Sequence, residues 1–248
     1  MSARSSTKSQ LPATTDESPS AAAKVLSQLI ERGARVQAPA VKAYVDRLRE
    51  HSPDATPAEV VKQLEKHYLA AVMASGAAVG SAAAFPGIGT LVALSAVAGE
   101  TVVFLEATSV FVLAVAEVYG IPAEHRERRR ALVLAVLVGE DSKHAIADLI
   151  GPGRTSGAWL SDGAATLPLP AVSQLNSRLL RYFVKRYTLK RGAIAFGKLL
   201  PVGIGAVVGG VGNRMMGKKI VANARKAFGN PPPRWPASLH VLPAPGER

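Results

Sequence analysis

The sequence predicts an all-α protein, a helical bundle with two glycine-rich helical hairpins. Apolar residues recur at the three- and four-residue spacing of a helix face over much of the chain. Of the 248 residues, 48% are hydrophobic yet only 5% are aromatic, so Ala, Val, Leu and Gly supply most of the apolar surface. Proline and glycine interrupt two of the longest apolar stretches. Together these observations favour helices that approach one another closely.

The two ends of the chain differ from its centre in composition. Residues 1–20 are rich in Ser, Thr and Pro and predict a disordered leader. Residues 21–228 predict the helical domain, with an internal loop at about 151–170 where Gly, Ser, Thr and Pro are frequent. Residues 229–248 predict a proline-rich disordered tail with an extended backbone.

Helix-face spacing begins in the N-terminal part of this domain. Residues 25–30 and residues 41–48 each place four apolar side chains on one helix face. The next helix has strong start signals, because Thr56 is a good cap, Pro57 suits the first turn, and Glu59 completes a capping box with Thr56. We therefore expect three successive helices here.

The first predicted hairpin occupies a stretch without charge. No charged residue occurs in the thirty-two residues from Tyr68 to Gly99. This length alone would suggest a membrane span, because roughly 20 apolar residues are enough to cross a bilayer. The sequence Phe85-Pro86-Gly87-Ile88-Gly89 divides this stretch, because proline breaks helical hydrogen bonding and glycine permits a sharp turn. Gly120 and Pro122 then predict the end of the second helix. This pattern is typical of a helical hairpin.

Two carboxylates interrupt the second helix of this hairpin. Glu106 and Glu117 lie eleven residues apart, about three helical turns, and therefore share one helix face. Because the helix is otherwise apolar, we expect a buried acidic pair that needs cationic partners. Pairing with Arg181 or Lys185 of a neighbouring helix is favoured over an intramembrane site for ions or protons.

Positive charge is concentrated in the C-terminal half. Between Asp162 and Glu247 the chain has thirteen Lys and Arg residues and no acidic residue. The charge of this segment, +13, exceeds the net charge of the whole chain, +12. Apolar residues from Leu175 to Tyr187 form one helical stripe; core contacts are favoured for this stripe, while its basic flanks face lipid headgroups or solvent. The residues predicted to contact a membrane surface are Arg178, Arg181, Lys185, Arg186, Lys190, Arg191, Lys218 and Lys219.

A second glycine-rich element repeats the pattern of the first. The sequence Leu200-Pro201-Val202-Gly203-Ile204-Gly205 is similar to Phe85-Pro86-Gly87-Ile88-Gly89, and this similarity predicts the second hairpin. Small residues recur at four-residue spacing in both elements, and such residues form a groove that admits another helix backbone. The residues predicted to pack helices together are Gly76, Gly80, Gly205, Gly209 and Gly217.

Patterns typical of enzymes and cofactor sites are weak. Residues 212–219 nearly match a phosphate-binding loop, but Lys219 replaces the hydroxyl that would hold magnesium. Asp141, His144 and Asp148 share helical spacing and are expected to be surface residues and not metal ligands. The absence of Cys excludes disulfides and thiolate chemistry. We therefore predict a non-enzymatic protein with no catalytic residues, no metal and no cofactor.

Several glycine-rich segments together resemble the EcsC family. They are Gly76-Ala77-Ala78-Val79-Gly80, Phe85-Pro86-Gly87-Ile88-Gly89, Val118-Tyr119-Gly120, Leu200-Pro201-Val202-Gly203-Ile204-Gly205 and Gly209-Gly210-Val211-Gly212-Asn213. The resemblance covers roughly residues 56–228. It implies a bacterial, mostly helical, hydrophobic protein, encoded in some members alongside an ABC transporter and without an established catalytic mechanism.

The expected function is binding to the cytoplasmic face of the cell membrane, peripherally or with partial insertion. Segregated positive charge attracts polyanions, and the glycine-rich apolar sequence beside it suits lipid better than bases. The expected partners are anionic lipids and a membrane transporter or another membrane protein. The alternative is a soluble nucleic-acid-binding helical protein that uses residues 178–191 along phosphates, although the scarcity of stacking aromatic side chains makes nucleic acid unlikely as a partner.

Overall fold

Six helices make up the part of the chain that the structure, a computed structural model, describes. The described residues are 38–82, 90–121, 125–139, 142, 168–194 and 204–236, and no strand occurs among them. The all-α prediction is confirmed for these residues. The helices are α1 (Ala38–His51), α2 (Pro57–Ala82), α3 (Thr90–Val118), α4 (Arg126–Val138), α5 (Leu169–Ile194) and α6 (Ile204–Phe228).

Two helix ends have the capping hydrogen bonds that the sequence predicts. At the start of α2 the Thr56 backbone N–H donates to the Glu59 carboxylate at 2.8 Å, and the Glu59 N–H donates to the Thr56 hydroxyl at 3.3 Å. This capping box also lowers the pKa of Glu59, chiefly through the backbone hydrogen bond from Thr56. Gly120 ends α3 with φ at 68°, which lets the Ile121 N–H donate to the Ala116 carbonyl at 2.9 Å.

Helix α2 packs along both α3 and α6. Seven residues connect α2 to α3, a reach of at most about 29 Å, whereas α3 is about 43 Å long. The two helices are therefore antiparallel, as the first predicted hairpin requires, although its turn lies outside the described residues. At their interface the ring of Tyr68 stacks on Phe111 with centroids 4.7 Å apart, and its hydroxyl lies 3.0 Å from that of Thr108.

The predicted second hairpin has a different arrangement in its described part. Helix α5 packs mainly against α4, and α6 packs mainly against α2. The connection at residues 195–203 lies outside the described residues. Leu175, Leu179 and Phe183 of α5 are buried, so core contact is confirmed for this part of the stripe. The Asn176 amide also donates to the Glu127 carbonyl at 3.0 Å, which fixes α5 against the start of α4.

The most apolar helix lies in the centre of the bundle. Residues Gly99–Val118 of α3 have a mean hydropathy of 1.9 and are long and apolar enough to cross a membrane, but 67% of that segment is buried inside the protein. Every side chain from Phe111 to Ala116 is buried. A helix with apolar residues on most of its sides is explained by such a central position, because neighbouring helices cover most of its surface. Its hydropathy therefore gives only weak evidence for a membrane span.

The start of the C-terminal tail is packed onto the helices. Trp235 donates its indole N–H to the Ala55 carbonyl at 3.1 Å, and the Arg49 guanidinium lies 4.2 Å from the centre of its ring. These contacts hold residues 229–236 across the α1–α2 turn. The prediction of disorder from residue 229 is therefore wrong for 229–236, because the Trp235 side chain packs against apolar residues of the core and also has a hydrogen-bond acceptor there.

Several other predictions fall on residues that the structure does not describe. These include the disordered leader at residues 1–20, the helix at 25–30 and the tail beyond residue 236. Most of the predicted internal loop lies outside the described residues as well, but α5 begins at Leu169, before the predicted end of that loop at residue 170. Pro170 explains the difference, since proline is well tolerated in the first turn of a helix.

Tyr119 joins α3 to the segment after α6, and this contact predicts a pH-dependent stability. Its hydroxyl donates to the Gly229 carbonyl at 2.7 Å, and burial, with a smaller effect from the Glu65 charge, raises the pKa of Tyr119 to about 12. Unfolded tyrosine titrates near pH 10. The stabilisation from neutral Tyr119 is therefore complete below about pH 10 and is lost as the pH rises towards about 12.

Tyr119→Phe is expected to lower the free energy of unfolding by about 1 kcal/mol near neutral pH, since it removes one hydrogen bond. Above about pH 10 the difference from the wild type should shrink, because the wild type alone loses this contribution. Urea unfolding of both proteins across this pH range measures the difference. A gap that stays constant up to about pH 12 would contradict the assignment.

Candidate functional site

One face of α6 lies very close to α2. A Cβ atom added at Gly217 would stand 2.9 Å from a methyl group of Leu69 and 3.0 Å from one of Val72, so no larger side chain fits without a shift. One helical turn away the Asn213 amide donates to the Val72 carbonyl at 3.0 Å. A Cβ atom added at Gly210, two turns from Gly217, would stand 3.7 Å from the Met73 carbonyl oxygen of α2, an ordinary contact distance. Small residues therefore allow the two helices to approach closely.

This contact agrees in part with the predicted packing glycines. Gly217 lies in the interface, and Gly76 is buried on α2. Gly80, Gly205 and Gly209 are within α2 and α6, but their surroundings lie outside what the structure describes. Gly210 was not predicted, although its seven-residue separation from Gly217 is a helical repeat that marks the same face.

The opposite face of α6 is exposed and combines cations with large apolar side chains. We define the outer face of α6 as Val211, Arg214, Met215, Met216, Lys218 and Lys219, all of them exposed. Met215 is 69% exposed and Val211 is 52% exposed. Large apolar side chains with this much contact to water are a minority on the described surface, and three of them lie within six residues here. Such a concentration marks an interaction surface.

The order of these residues around α6 separates the two kinds of side chain. Successive helical residues are about 100° apart, so Val211 and Met215 lie within about 40° of each other on the axis of the outer face. Arg214 and Lys218 fall on one side of this apolar row, and Lys219 falls on the other. The outer face therefore carries an apolar row between two cationic edges. Long basic side chains can keep their charges in a polar layer while the row contacts apolar material.

A further cation of α6 is already paired. Arg225 donates to the two carboxylate oxygens of Glu65 at 2.6 and 2.5 Å. Glu65 is only 7% exposed, and the hydrogen bond and charge of this carboxylate raise the pKa of Arg225. This two-pronged pair fixes the C-terminal half of α6 against α2. Arg225 therefore belongs to the packing of the bundle more than to the outer face.

Arg225→Gln is expected to lower the free energy of unfolding by about 1 to 3 kcal/mol, because the buried Glu65 carboxylate loses its charged partner. The matched control, Lys218→Gln, removes an exposed charge from the same helix and should change stability by less than about 0.5 kcal/mol. Urea unfolding measures both variants. Equal effects of the two substitutions would show that the ion pair contributes no more than any surface charge, contrary to this account.

Among the side chains that the structure describes, α5 exposes fewer of the predicted contact cations than α6 does. Arg181 is exposed and Arg178 is half-buried. Lys185, Arg186, Lys190 and Arg191 lie within α5, but their side chains are outside the described residues. Lys218 and Lys219 are both exposed on the outer face of α6. The described part of the predicted contact surface is therefore centred on α6.

The predicted buried acidic pair is wrong. Glu106 is exposed and Glu117 is half-buried. The buried polar side chains at the centre of α3 are instead Thr108 and Ser109, whose hydroxyls donate to carbonyls one turn earlier at 2.7 and 2.8 Å. Helical spacing correctly placed the two carboxylates on one side of α3, but it does not reveal that this side is incompletely covered by neighbouring helices.

An open depression lies between α2 and α6, with a volume of about 510 Å³. Glu65, Leu69, Lys218 and Arg225 contribute to its lining. Its carboxylate is held by Arg225, so it is not placed to act as an acid or base on a ligand. Among the residues that the structure describes, no group of three or more His, Asp or Glu side chains is arranged to hold a metal ion.

The near-match to a phosphate-binding loop at residues 212–219 lies inside α6 and is helical throughout. A helix interior cannot form a loop whose backbone N–H groups surround a phosphate, because those groups bond within the helix.

Comparisons of the chain with known protein families, curated proteins and solved structures found no match. The outer face of α6 and the charge around it are therefore the features of this chain that bear on its function.

Proposed function

We propose that this chain is a non-enzymatic, membrane-associated helical protein that binds the anionic cytoplasmic face of the cell membrane through the outer face of α6. The observation that carries the proposal is the exposed row of Val211 and Met215 between the cationic edges formed by Arg214, Lys218 and Lys219. An anionic membrane offers both complements at once, phosphate and carboxylate groups for the edges and acyl chains for the row.

Order-of-magnitude energies support surface binding. Each cation close to an anionic membrane contributes about 1 kcal/mol, so the three basic residues of the outer face contribute about 3 kcal/mol. Partial burial of Met215 and Val211 at the boundary between headgroups and acyl chains adds about 1 kcal/mol each, since complete burial of such side chains is worth about 1.5 to 3 kcal/mol. The sum of about 5 kcal/mol corresponds to a dissociation constant of about 0.2 mM. The outer face alone would thus give reversible attachment.

The apolar row favours lipid over nucleic acid as the partner. The three basic residues could follow the phosphates of either polyanion. Met215 and Val211 would gain little on a nucleic acid, where proteins stack aromatic rings on bases or donate hydrogen bonds to them. On a membrane the same two side chains gain burial in hydrocarbon. The proposal therefore commits to anionic lipid.

The resemblance to the EcsC family leads us to include an accessory role beside a membrane transporter. Its motifs include residues 76–80 and 209–213, which come from the two helices that pack most closely. Membrane attachment through the outer face of α6 would concentrate the protein on the surface where such a transporter exposes its cytoplasmic parts. Contact between this chain and such a transporter is part of the proposal.

Cell fractionation tests the proposal in its simplest form. The protein should sediment with membranes prepared at low ionic strength. Release by a high-salt wash would indicate attachment by surface charge, and retention through a subsequent alkaline carbonate wash would indicate insertion of apolar residues. Recovery of all the protein in the soluble fraction before any wash would contradict membrane attachment.

A further inference from the structure

Two neighbouring methionines lie on the surface of α6. Met215 is 69% exposed and Met216 is 48% exposed. Met73 of α2 is half-buried, and its carbonyl oxygen would stand 3.7 Å from a Cβ atom added at Gly210, so this residue lies where α2 and α6 are in contact. Of the described methionines, Met215 and Met216 are therefore the more accessible to reagents dissolved in water.

The two exposed methionines differ in their position around α6. Met215 lies in the apolar row with Val211, whereas Met216 lies about 100° from Met215, because successive helical residues are separated by that angle. Lys219 lies in the same direction at only about 40° from Met215, so Met216 is beyond the cationic edge. A membrane surface that contacts the row would receive Met215 and leave Met216 at its margin. The two residues thus share one chemistry but differ in their expected contact with lipid.

The thioether of an exposed methionine reacts with peroxides. The chain contains four Met and no Cys, so no thiolate of this chain competes for the oxidant. A lone pair of the sulfur attacks one oxygen of hydrogen peroxide; an S–O bond forms, the O–O bond breaks and water leaves. The sulfur loses two electrons and the peroxide gains them. The product is methionine sulfoxide, in which a flexible apolar side chain has become polar.

Resting on the proposed function, we propose that Met215 is a modification site at which oxidation by peroxide weakens attachment of the protein to an anionic membrane. At the boundary between headgroups and acyl chains the sulfoxide oxygen loses hydrogen bonds with water, which opposes burial of this side chain. The reaction leaves the charges of Arg214, Lys218 and Lys219 unchanged, so attraction to anionic lipid is reduced and not abolished. Methionine sulfoxide reductases regenerate the thioether, which makes the change reversible.

Two variants that each keep one exposed methionine test the site. Met216→Leu leaves Met215 open to oxidation, and Met215→Leu is the matched control that leaves Met216 open to it. Both proteins and the wild type are treated with hydrogen peroxide, and peptide mass spectrometry follows the sulfoxide fraction at positions 73, 215 and 216. Co-sedimentation with vesicles of phosphatidylcholine and phosphatidylglycerol then compares each oxidised protein with its own unoxidised form and with the form repaired by methionine sulfoxide reductases.

We expect positions 215 and 216 to be oxidised several times faster than position 73, because Met73 is less exposed. Oxidation should weaken vesicle binding of Met216→Leu by about fivefold or more, and repair should restore it. Oxidation of Met215→Leu should change its binding by less than about twofold, since Met216 lies beyond the cationic edge.

The outcomes separate this inference from the proposed function. Unchanged binding of Met216→Leu after complete oxidation at position 215 would overturn the role of Met215 and leave membrane attachment intact. Equal losses in the two variants would place the effect at another residue and also overturn the site. If the unoxidised wild type does not bind anionic vesicles, both the proposed function and the inference that rests on it are wrong.

Discussion

Replacing Arg214, Lys218 and Lys219 together with Gln is expected to weaken binding to anionic vesicles by about 100-fold. Each of these exposed cations contributes about 1 kcal/mol near an anionic surface, and about 3 kcal/mol is a factor of more than 100 in a dissociation constant. The substitutions replace exposed side chains of α6, of which only Lys218 borders the depression beside α2, and should leave the free energy of unfolding nearly unchanged. Vesicle co-sedimentation over a range of lipid concentrations measures the change.

The matched control makes the same change of charge elsewhere. Arg47, Lys62 and Arg126 are exposed and belong to α1, α2 and α4. Their replacement by Gln removes three positive charges without altering the outer face of α6. If attraction depended on net charge alone, the control would lose as much affinity as the outer-face variant. We expect the control to bind within about twofold of the wild type, since cations away from the contact surface are largely screened; equal losses would contradict the site.

Leu179→Ala is expected to lower the free energy of unfolding by about 2 to 5 kcal/mol. Leu179 has no exposed surface and lies on the α5 face that packs on α4. Truncation to Ala removes buried methyl groups and leaves a cavity that the surrounding helices can only partly fill. This loss is a large fraction of the stability of an ordinary domain, so the variant tests whether α5 belongs to the core.

The same substitution at the start of α5 provides the comparison. Leu169 is an exposed residue of the same helix, so Leu169→Ala should cost less than about 0.5 to 1 kcal/mol. Urea unfolding followed by helical circular dichroism measures both proteins. If both substitutions cost the same, the stripe of α5 does not form core, and the assignment of its apolar face to the bundle interior would be wrong.

Features governed by neighbouring residues could be predicted from the sequence. The capping box of Thr56 and Glu59 and the end of α3 at Gly120 depend on local hydrogen bonds and backbone angles. The burial of Leu175 and Leu179 follows from helical spacing, which places them on one apolar face. Gly217 could be predicted as a packing residue because a small side chain recurs at the spacing of one helix face.

Features that depend on distant neighbours could not be predicted in this way. The exposure of Glu106 depends on which helices cover α3, and no local pattern reports that. The hydrogen bond from Trp235 to the Ala55 carbonyl joins residues 180 positions apart. Sequence analysis included Lys218 and Lys219 in the contact surface but gave most weight to α5, whereas the exposed apolar row at Val211 and Met215 places the described candidate site on α6. Only the packing of α6 on α2 decides which of its faces remains outside.

Vesicle flotation of the wild-type protein tests lipid binding most directly. The protein is mixed at low ionic strength with vesicles of phosphatidylcholine alone, with vesicles that also contain phosphatidylglycerol, and in parallel with duplex DNA in a mobility-shift measurement. We predict flotation with the anionic vesicles, little flotation with the neutral ones, and weaker flotation as salt is added. Protein that stays at the bottom of the gradient with anionic vesicles, yet shifts the DNA, would contradict the proposed function and favour nucleic-acid binding.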